Sequence, residues 1–271
     1  MRQMTDFDCA GDLLVGTLDE GAAKTGLLIV SGGNEIRSGA YAGQAALARH
    51  FAGQGNPVFR YDRRGVGDSE GRNGGFERSA DDIAAAVSAF RAHVPHMERL
   101  VAFGNCDAAT ALALYHEPVR IDSLVLANPW IIETSNAEPN APTQPNASAV
   151  RARYLARLRN PRSLIDLLTG KIDLKKLAGG LARAVQKEEP TGLASRLASA
   201  LAASNVPVRI VVAERDTTAL AFLSAYRDQL FDKVRGRDNV SLSRCDSASH
   251  SFADKDSKTW LIRAIDDALS D

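Results

Sequence analysis

Leu100-Val101-Ala102-Phe103-Gly104-Asn105-Cys106-Asp107-Ala108-Ala109 is the stretch on which the reading of this chain turns. Four consecutive apolar residues predict a strand covered on both faces, and the alanine-rich run after them predicts a helix. The turn between them puts a thiol at its apex. Gly104 and Ala108 are small enough to let strand and helix meet at a sharp angle, which forces Cys106 into a strained backbone conformation. Its sulfur is then exposed above the sheet at a helix N-terminus, where the dipole and unpaired N–H groups favour a negative charge. The pattern is that of a nucleophile elbow, with Cys in place of Ser and Ala in place of the last Gly. The competing reading is a small buried cysteine that only packs.

Outward from this point, apolar runs and helical stretches alternate. Pro57–Asp62, Leu100–Phe103, Ser123–Ala127 and Pro207–Ala213 are continuous runs suited to central parallel strands. Asn239–Ser243 alternates and predicts a strand nearer the sheet edge. Leu13–Gly16 and Leu27–Val30 flank an Asp19-Glu20-Gly21 turn and predict a hairpin. Ile83, Val87, Phe90 and Val94 form a helical stripe, with Ser79 and Asp82 spaced as a capping box. Leu261, Ile265, Ala268 and Leu269 form another in the last helix. Strand–helix alternation with short connections predicts an α/β architecture, a mostly parallel central sheet with helices on both faces.

The span 133–205 breaks the pattern. Pro139, Pro142 and Pro145 stand in a polar loop, and Leu-, Ala- and Arg-rich helical segments follow over 149–158, 161–169, 174–187 and 191–203. This predicts a helical cap (133–205) inserted in a core made of 1–132 and 206–271, above the carboxyl edge of the sheet. Between Arg151 and Lys187 there are ten Lys/Arg against two acids, Asp166 and Asp173. They read either as a solvated helix surface or as an electropositive lid that attracts an anionic acyl carrier.

The bulk numbers narrow the class. At 271 residues and 45% hydrophobic, the chain can bury a full core, and its formal net charge of zero gives no footprint for nucleic acid. Three cysteines (Cys9, Cys106, Cys245) suit a reducing compartment better than a disulfide framework. With no signal-like N-terminus and no apolar run long enough to span a membrane, a cytoplasmic protein is expected. Cys9 and Cys245 lack the spacing of a zinc site, so no metal or other cofactor is expected. Asp62-Arg63-Arg64-Gly65-Val66-Gly67-Asp68-Ser69 lacks the Lys-Ser/Thr ending of a phosphate-binding loop.

A thiol nucleophile needs a base, an acid that orients the base, and donors for an oxyanion. On such a sheet they follow in the order nucleophile, acid, base. Of five histidines, His50, His93 and His96 precede the elbow. His116 ends the helix after it, where a cationic ring would suit the C-terminal dipole. His250 alone lies after the last strand and before the last helix, the place for the base. Asp216 follows the Pro207–Ala213 strand and suits the orienting acid. It is also a natural N-cap for a helix over 217–229, and Glu214 is its competitor. The backbone N–H of Asp107 is one oxyanion donor. The second is assigned to the Ser31-Gly32-Gly33-Asn34 loop, at Gly33 with Asn34 as the alternative.

These segments together resemble the α/β-hydrolase superfamily from about residue 10 to the end. The Gly104-Asn105-Cys106-Asp107-Ala108-Ala109 elbow is most similar to the exosortase A system-associated hydrolases of type 1. Those are bacterial proteins linked to export and polysaccharide systems. The resemblance implies an α/β-hydrolase fold with a lid, and implies that the Asp62-Arg63 segment positions active-site loops. Two residues depart from the superfamily pattern: Ser31 stands where His is usual, and Cys106 where Ser is usual. Dienelactone hydrolases share a Cys-His-Asp triad but not so large a cap.

The expected activity is hydrolysis of a small-molecule acyl ester or thioester through an acyl-enzyme on Cys106. Acyl transfer by the same triad is a second reading, and non-catalytic binding of an acyl or hydrophobic ligand under the cap is a third.

Overall fold

The computed structural model describes residues 1–133 and 192–271. Most of the expected cap, including its basic cluster over 151–187, lies outside the described residues. The strands are β1 (Arg2–Cys9), β2 (Asp12–Asp19), β3 (Thr25–Val30), β4 (Val58–Tyr61), β5 (Arg99–Asn105), β6 (Ser123–Ala127), β7 (Val208–Ala213) and β8 (Val240–Cys245). They form one eight-stranded sheet in the order β1-β2-β4-β3-β5-β6-β7-β8. From β4 to β8 every pairing is parallel; β2 runs antiparallel to both β1 and β4.

The helices are α1 (Gly43–Gly53), α2 (Ala80–His93), α3 (Asp107–Tyr115), α4 (Gly192–Ala203), α5 (Thr217–Tyr226), α6 (Asp232–Arg235) and α7 (Lys255–Ser270). Alternate residues of each central strand face opposite layers. Leu28, Val30, Ala102, Leu124, Leu126, Ile210 and Val212 pack with α2, α3, α4 and α5. Leu27, Ile29, Val101, Phe103, Val125, Val211 and Ala213 pack with α1 and α7. Both faces being covered explains the unbroken apolar runs in β3, β5 and β6, and the run in β7 that only Arg209 interrupts.

The structure corrects the hairpin. Leu13–Gly16 and Leu27–Val30 do not pair: β4 lies between β2 and β3. The hairpin partner of β2 is β1, in register from Arg2↔Asp19 to Cys9↔Asp12, and its other edge pairs with β4. Polar residues disguise β1 as a tail, but only one of its faces meets the core. Phe7 packs there at 5.8 Å from Phe59, which stacks in turn on Phe90 at 5.5 Å. A run as apolar as β3 needs a neighbour on each side and cover on each face, which an edge hairpin cannot provide.

The capping box also fails. Ser79 makes no side-chain cap to α2, and its hydroxyl donates to the Phe76 carbonyl at 2.6 Å. Asp82 is drawn away by the Arg64 guanidinium, whose Nε donates at 2.5 Å, and by the Arg64 backbone N–H at 3.0 Å. A charge-assisted pair outcompetes a reciprocal backbone bond. The helix expected over 217–229 ends at Tyr226, and Asp228 caps a separate short turn, Gln229–Phe231. The helix expected over 191–203 is α4, whose Leu193, Leu197 and Leu201 are buried.

Candidate active site

Three strand ends supply the site. Residue Cys106 follows β5 directly and is the N-cap of α3, with φ 64° and ψ −127°. That left-handed conformation is costly for a residue with a Cβ, of order 1–3 kcal/mol, and persists only where the surroundings enforce it. They do so here through space. A Cβ on Gly104 would stand 2.8 Å from the Ala108 carbonyl carbon, and one on Gly32 only 2.4 Å from the Asn105 carbonyl oxygen. The chain is further held by Cys106 N–H donating to the Ala127 carbonyl (2.9 Å), and by Trp130 N–H donating to the Cys106 carbonyl (3.2 Å).

After β7, Asp216 is both things its position allowed. Its Oδ2 accepts the N–H groups of Thr218 and Ala219, each at 3.1 Å, and so caps α5. The same oxygen lies 2.9 Å from His250 Nδ1. With three donors on one buried oxygen, the carboxylate has little freedom to turn. Glu214, its competitor, is not the carboxylate facing His250. The Cys106 side chain acts on the same ring. The hydrogen bond to Asp216, then that to Cys106, push the imidazole pKa up to about 10 against the opposing effect of burial. Asp216 and His250 thus form a hydrogen-bonded pair, with the proton on the ring at neutral pH.

The loop Ser31–Asn34 lies against the elbow. Buried Ser31 donates its hydroxyl to Gln44 Oε1 at 2.8 Å and so anchors the loop to α1. Gly33 has φ +58° with open space around its α-carbon, so the conformation and not crowding calls for glycine there. Asp107 opens α3, where a first-turn N–H has no intrahelical acceptor. The two expected oxyanion donors are thus close together, but Gly33 N–H donates to Asp107 Oδ1 at 2.6 Å. A carboxylate of the protein stands where this donor points. Asn34, the alternative, is exposed, and its side chain accepts from Asn73 at 2.9 Å.

Behind this loop, Arg63 is 4% exposed, donates to the Gly33 carbonyl, and has its guanidinium 3.8 Å from Asp107 Oδ2. Asp62, fully buried, accepts the N–H groups of Arg37 (2.5 Å) and Asp68 (3.1 Å). This Asp-Arg segment braces the loops around the elbow.

The other histidines lie elsewhere. His116 is corrected: it is 2% exposed, with Nδ1 3.1 Å from the Ala113 carbonyl and Nε2 3.0 Å from Ser204 Oγ. Burial lowers its pKa, so it is a neutral packing residue and no cation for the helix dipole. His93 and His96 bond to Thr5 and the Gly21 carbonyl at the surface. Cys9 lies buried with its thiol pKa pushed up to about 11 by burial and by Asp82. Cys245 is half-buried beside the α7 layer. Among the described residues, no cluster of His, Cys, Asp or Glu side chains is arranged to hold a metal, and no helix is long and apolar enough to cross a membrane.

Two asparagines escaped the reading of the sequence. Asn105, just before the thiol, and Asn128, just after β6, both donate to the His250 carbonyl at 3.1 Å. Asn128 stands in an Asn-Pro pair after an apolar run, which signals a turn and nothing about a distant loop.

A sequence model described as serine aminopeptidase, S33, matches residues 21–255. The chain belongs to that family of α/β hydrolases. Its elbow departs from the family's description in presenting Cys106 where a serine would stand. No curated protein matches in sequence. Among solved structures, the chain is similar to the esterase Pf2001 of Pyrococcus furiosus, with a TM-score of 0.66, 15% identity, and coverage of 100% of this chain and 90% of that one. It is also similar to proline iminopeptidase of Mycobacterium smegmatis (TM-score 0.59, 13% identity, 98% and 99% covered). The thioesterase domain of the curacin biosynthetic pathway gives a TM-score of 0.57 at 12% identity, with both chains covered in full. At these identities the likeness is one of fold, the α/β-hydrolase fold.

Proposed function

We propose that this family member is a cysteine-dependent acyl hydrolase acting on an ester or thioester, with Cys106, His250 and Asp216 as its triad. The observation that carries the reading is the 2.9 Å contact between Asp216 Oδ2 and His250 Nδ1, on a ring that the Cys106 side chain also acts on. In the proposed reaction the thiolate paired with imidazolium attacks the acyl carbon, forming a C–S bond and a tetrahedral oxyanion. The N–H groups of Asp107 and Gly33 hold that oxyanion once the Asp107 carboxylate has swung away from Gly33. Collapse expels the alcohol or thiol, which takes its proton from His250. Neutral His250 then accepts a proton from water as the water attacks the acyl-enzyme, and the acid leaves as Cys106 regains its negative charge.

Sulfur chemistry favours thioesters among the candidate substrates. Thiolate attack on a thioester exchanges one thiolate for another of similar basicity, whereas an oxoester must release a poorer leaving group. The basic residues over 151–187 suit an anionic acyl carrier, as part of a helical cap over 133–205. The elbow's likeness to exosortase A system-associated hydrolases and the sparse cysteines support a bacterial protein working in a reducing cytoplasm.

The test is intact-protein mass spectrometry after incubation with short and medium acyl thioesters and p-nitrophenyl esters, with product release followed in parallel. Wild type is expected to gain the acyl mass and turn over, and Cys106→Ala to do neither. His250→Ala should slow acylation by about a hundredfold or more, the usual weight of a general acid–base group. Folded wild type that shows neither adduct nor turnover on any of these substrates would argue for a ligand-binding role instead.

A further inference from the structure

Asn128 is fully buried, sits at φ 42°, and makes a bond with each part of the triad's support. Its Oδ1 accepts the N–H of Ala213 at 2.8 Å; Ala213 ends β7, and its own carbonyl accepts the Asp216 N–H at 2.8 Å. Its Nδ2 donates to Asn105 Oδ1 at 3.1 Å, on the residue before Cys106, and to the His250 carbonyl at 3.1 Å. Asn105 Nδ2 donates to the same carbonyl, again at 3.1 Å. The Asn128 backbone N–H completes the tie by donating to the Val211 carbonyl at 3.0 Å.

The amide cannot be turned round, because that would set its NH₂ against the Ala213 N–H and its oxygen against two acceptors. All its donors and its oxygen are in use. Asparagine also suits the backbone here, since it tolerates the left-handed region better than other residues with a Cβ except aspartate.

We propose that Asn128 is a positioning residue for the triad chemistry inferred above: its amide ties the ends of β5 and β7 to the His250 backbone and so sets where the imidazole stands between Asp216 and Cys106. The inference rests on that triad reading for its catalytic meaning, but the juxtaposition itself does not. Among the described residues, the His250 carbonyl accepts otherwise only from the second amide, Asn105, which Asn128 orients. A loop released from both would let the ring drift from a carboxylate 2.9 Å away, and a slip of about 1 Å at such a contact is enough to lose much of its effect.

The test uses the full chain and two variants. Asn128→Gly permits the positive φ while removing the amide, and Asn128→Asp keeps the shape and the acceptor for Ala213 but removes the donors. Titration of the His250 imidazole by ¹³C NMR, with Cys106 alkylation by iodoacetamide followed over the same pH range, reads the ring's placement without any substrate. In wild type the ring should hold its proton to about pH 10. In both folded variants the midpoint is expected to fall by about one unit or more, as the bonds to Asp216 and Cys106 lengthen. With a substrate in hand, kcat should fall about tenfold or more while KM changes by about twofold or less. A purely structural role would lower the melting temperature and leave the titration where it was, and that result overturns the proposal. If neither variant folds, Asn105→Ala, which removes the second donor from the same carbonyl, is read by the same criterion. A shifted titration in a protein that never acylates would sink the hydrolase reading and leave Asn128's positioning role standing.

Discussion

Cys106 and Asp107 share one peptide bond and make opposite demands on the same small space. The proposed reaction forms a negative oxygen beside Gly33 N–H, yet in the resting protein the Asp107 carboxylate occupies that donor at 2.6 Å, held in turn near Arg63. In that proposal a substrate carbonyl displaces it before the oxyanion is stabilised there. Removing the carboxylate should therefore help small substrates that bring little binding energy of their own. Asp107→Ala is expected to raise kcat/KM for short p-nitrophenyl esters severalfold, up to about tenfold, a fraction of what one oxyanion donor is worth. A fall in kcat/KM in the folded variant would show instead that the carboxylate chiefly keeps the Gly33 loop in place.

At the scale of elements, α4 is the instructive case. In sequence it is the last of several Leu- and Ala-rich segments in the insertion, and nothing separates it from those before. In the fold Leu197 is fully buried in the layer that contains α3, and Leu193 N–H donates to Glu133 Oε1 at 2.8 Å. Its energy belongs to the core that carries the elbow. Leu197→Ala should cost about 2–5 kcal/mol of global stability, the range for emptying a packed leucine site. Chemical denaturation should register this as a lower midpoint with unchanged slope. If the midpoint did not move, α4 would have to be a separable part of the lid. The same lesson applies to α2, where Ser79 and Asp82 have the right spacing for a capping box. The spacing could not reveal Arg64, which approaches from another loop and takes Asp82 for an ion pair.

Across the whole molecule, the Asp216–His250 pair contributes to stability in a direction that the His250 pKa dictates. Folding raises the imidazole from an ordinary 6.5 to about 10, so the native state binds its proton more tightly than the unfolded chain does. That contribution is complete below about pH 6.5 and is lost as pH rises through about 10. Comparing melting temperatures of wild type and His250→Gln from pH 5 to 10.5 should give the largest difference at the acid end, shrinking towards the alkaline end. A difference that grew with pH would mean that the ring is held as the neutral imidazole.

What could be learned from the chain alone was whatever local chemistry writes into consecutive residues. Apolar runs, broken only by Arg60 in β4 and Arg209 in β7, marked β3, β4, β5, β6 and β7 because these central strands are covered on both faces. Gly104 and Ala108 around Cys106 marked the elbow because only small residues let strand and helix turn so sharply. Tertiary structure alone decided who meets whom. It paired β2 with β1 and β4 because hydrogen-bonding edges and layer cover are satisfied across the sheet and not along the chain. It also turned His116 into a buried neutral side chain. And it brought Asn105, Asn128 and the His250 carbonyl together, since an amide's partners depend on distances between strand ends that no spacing in sequence encodes.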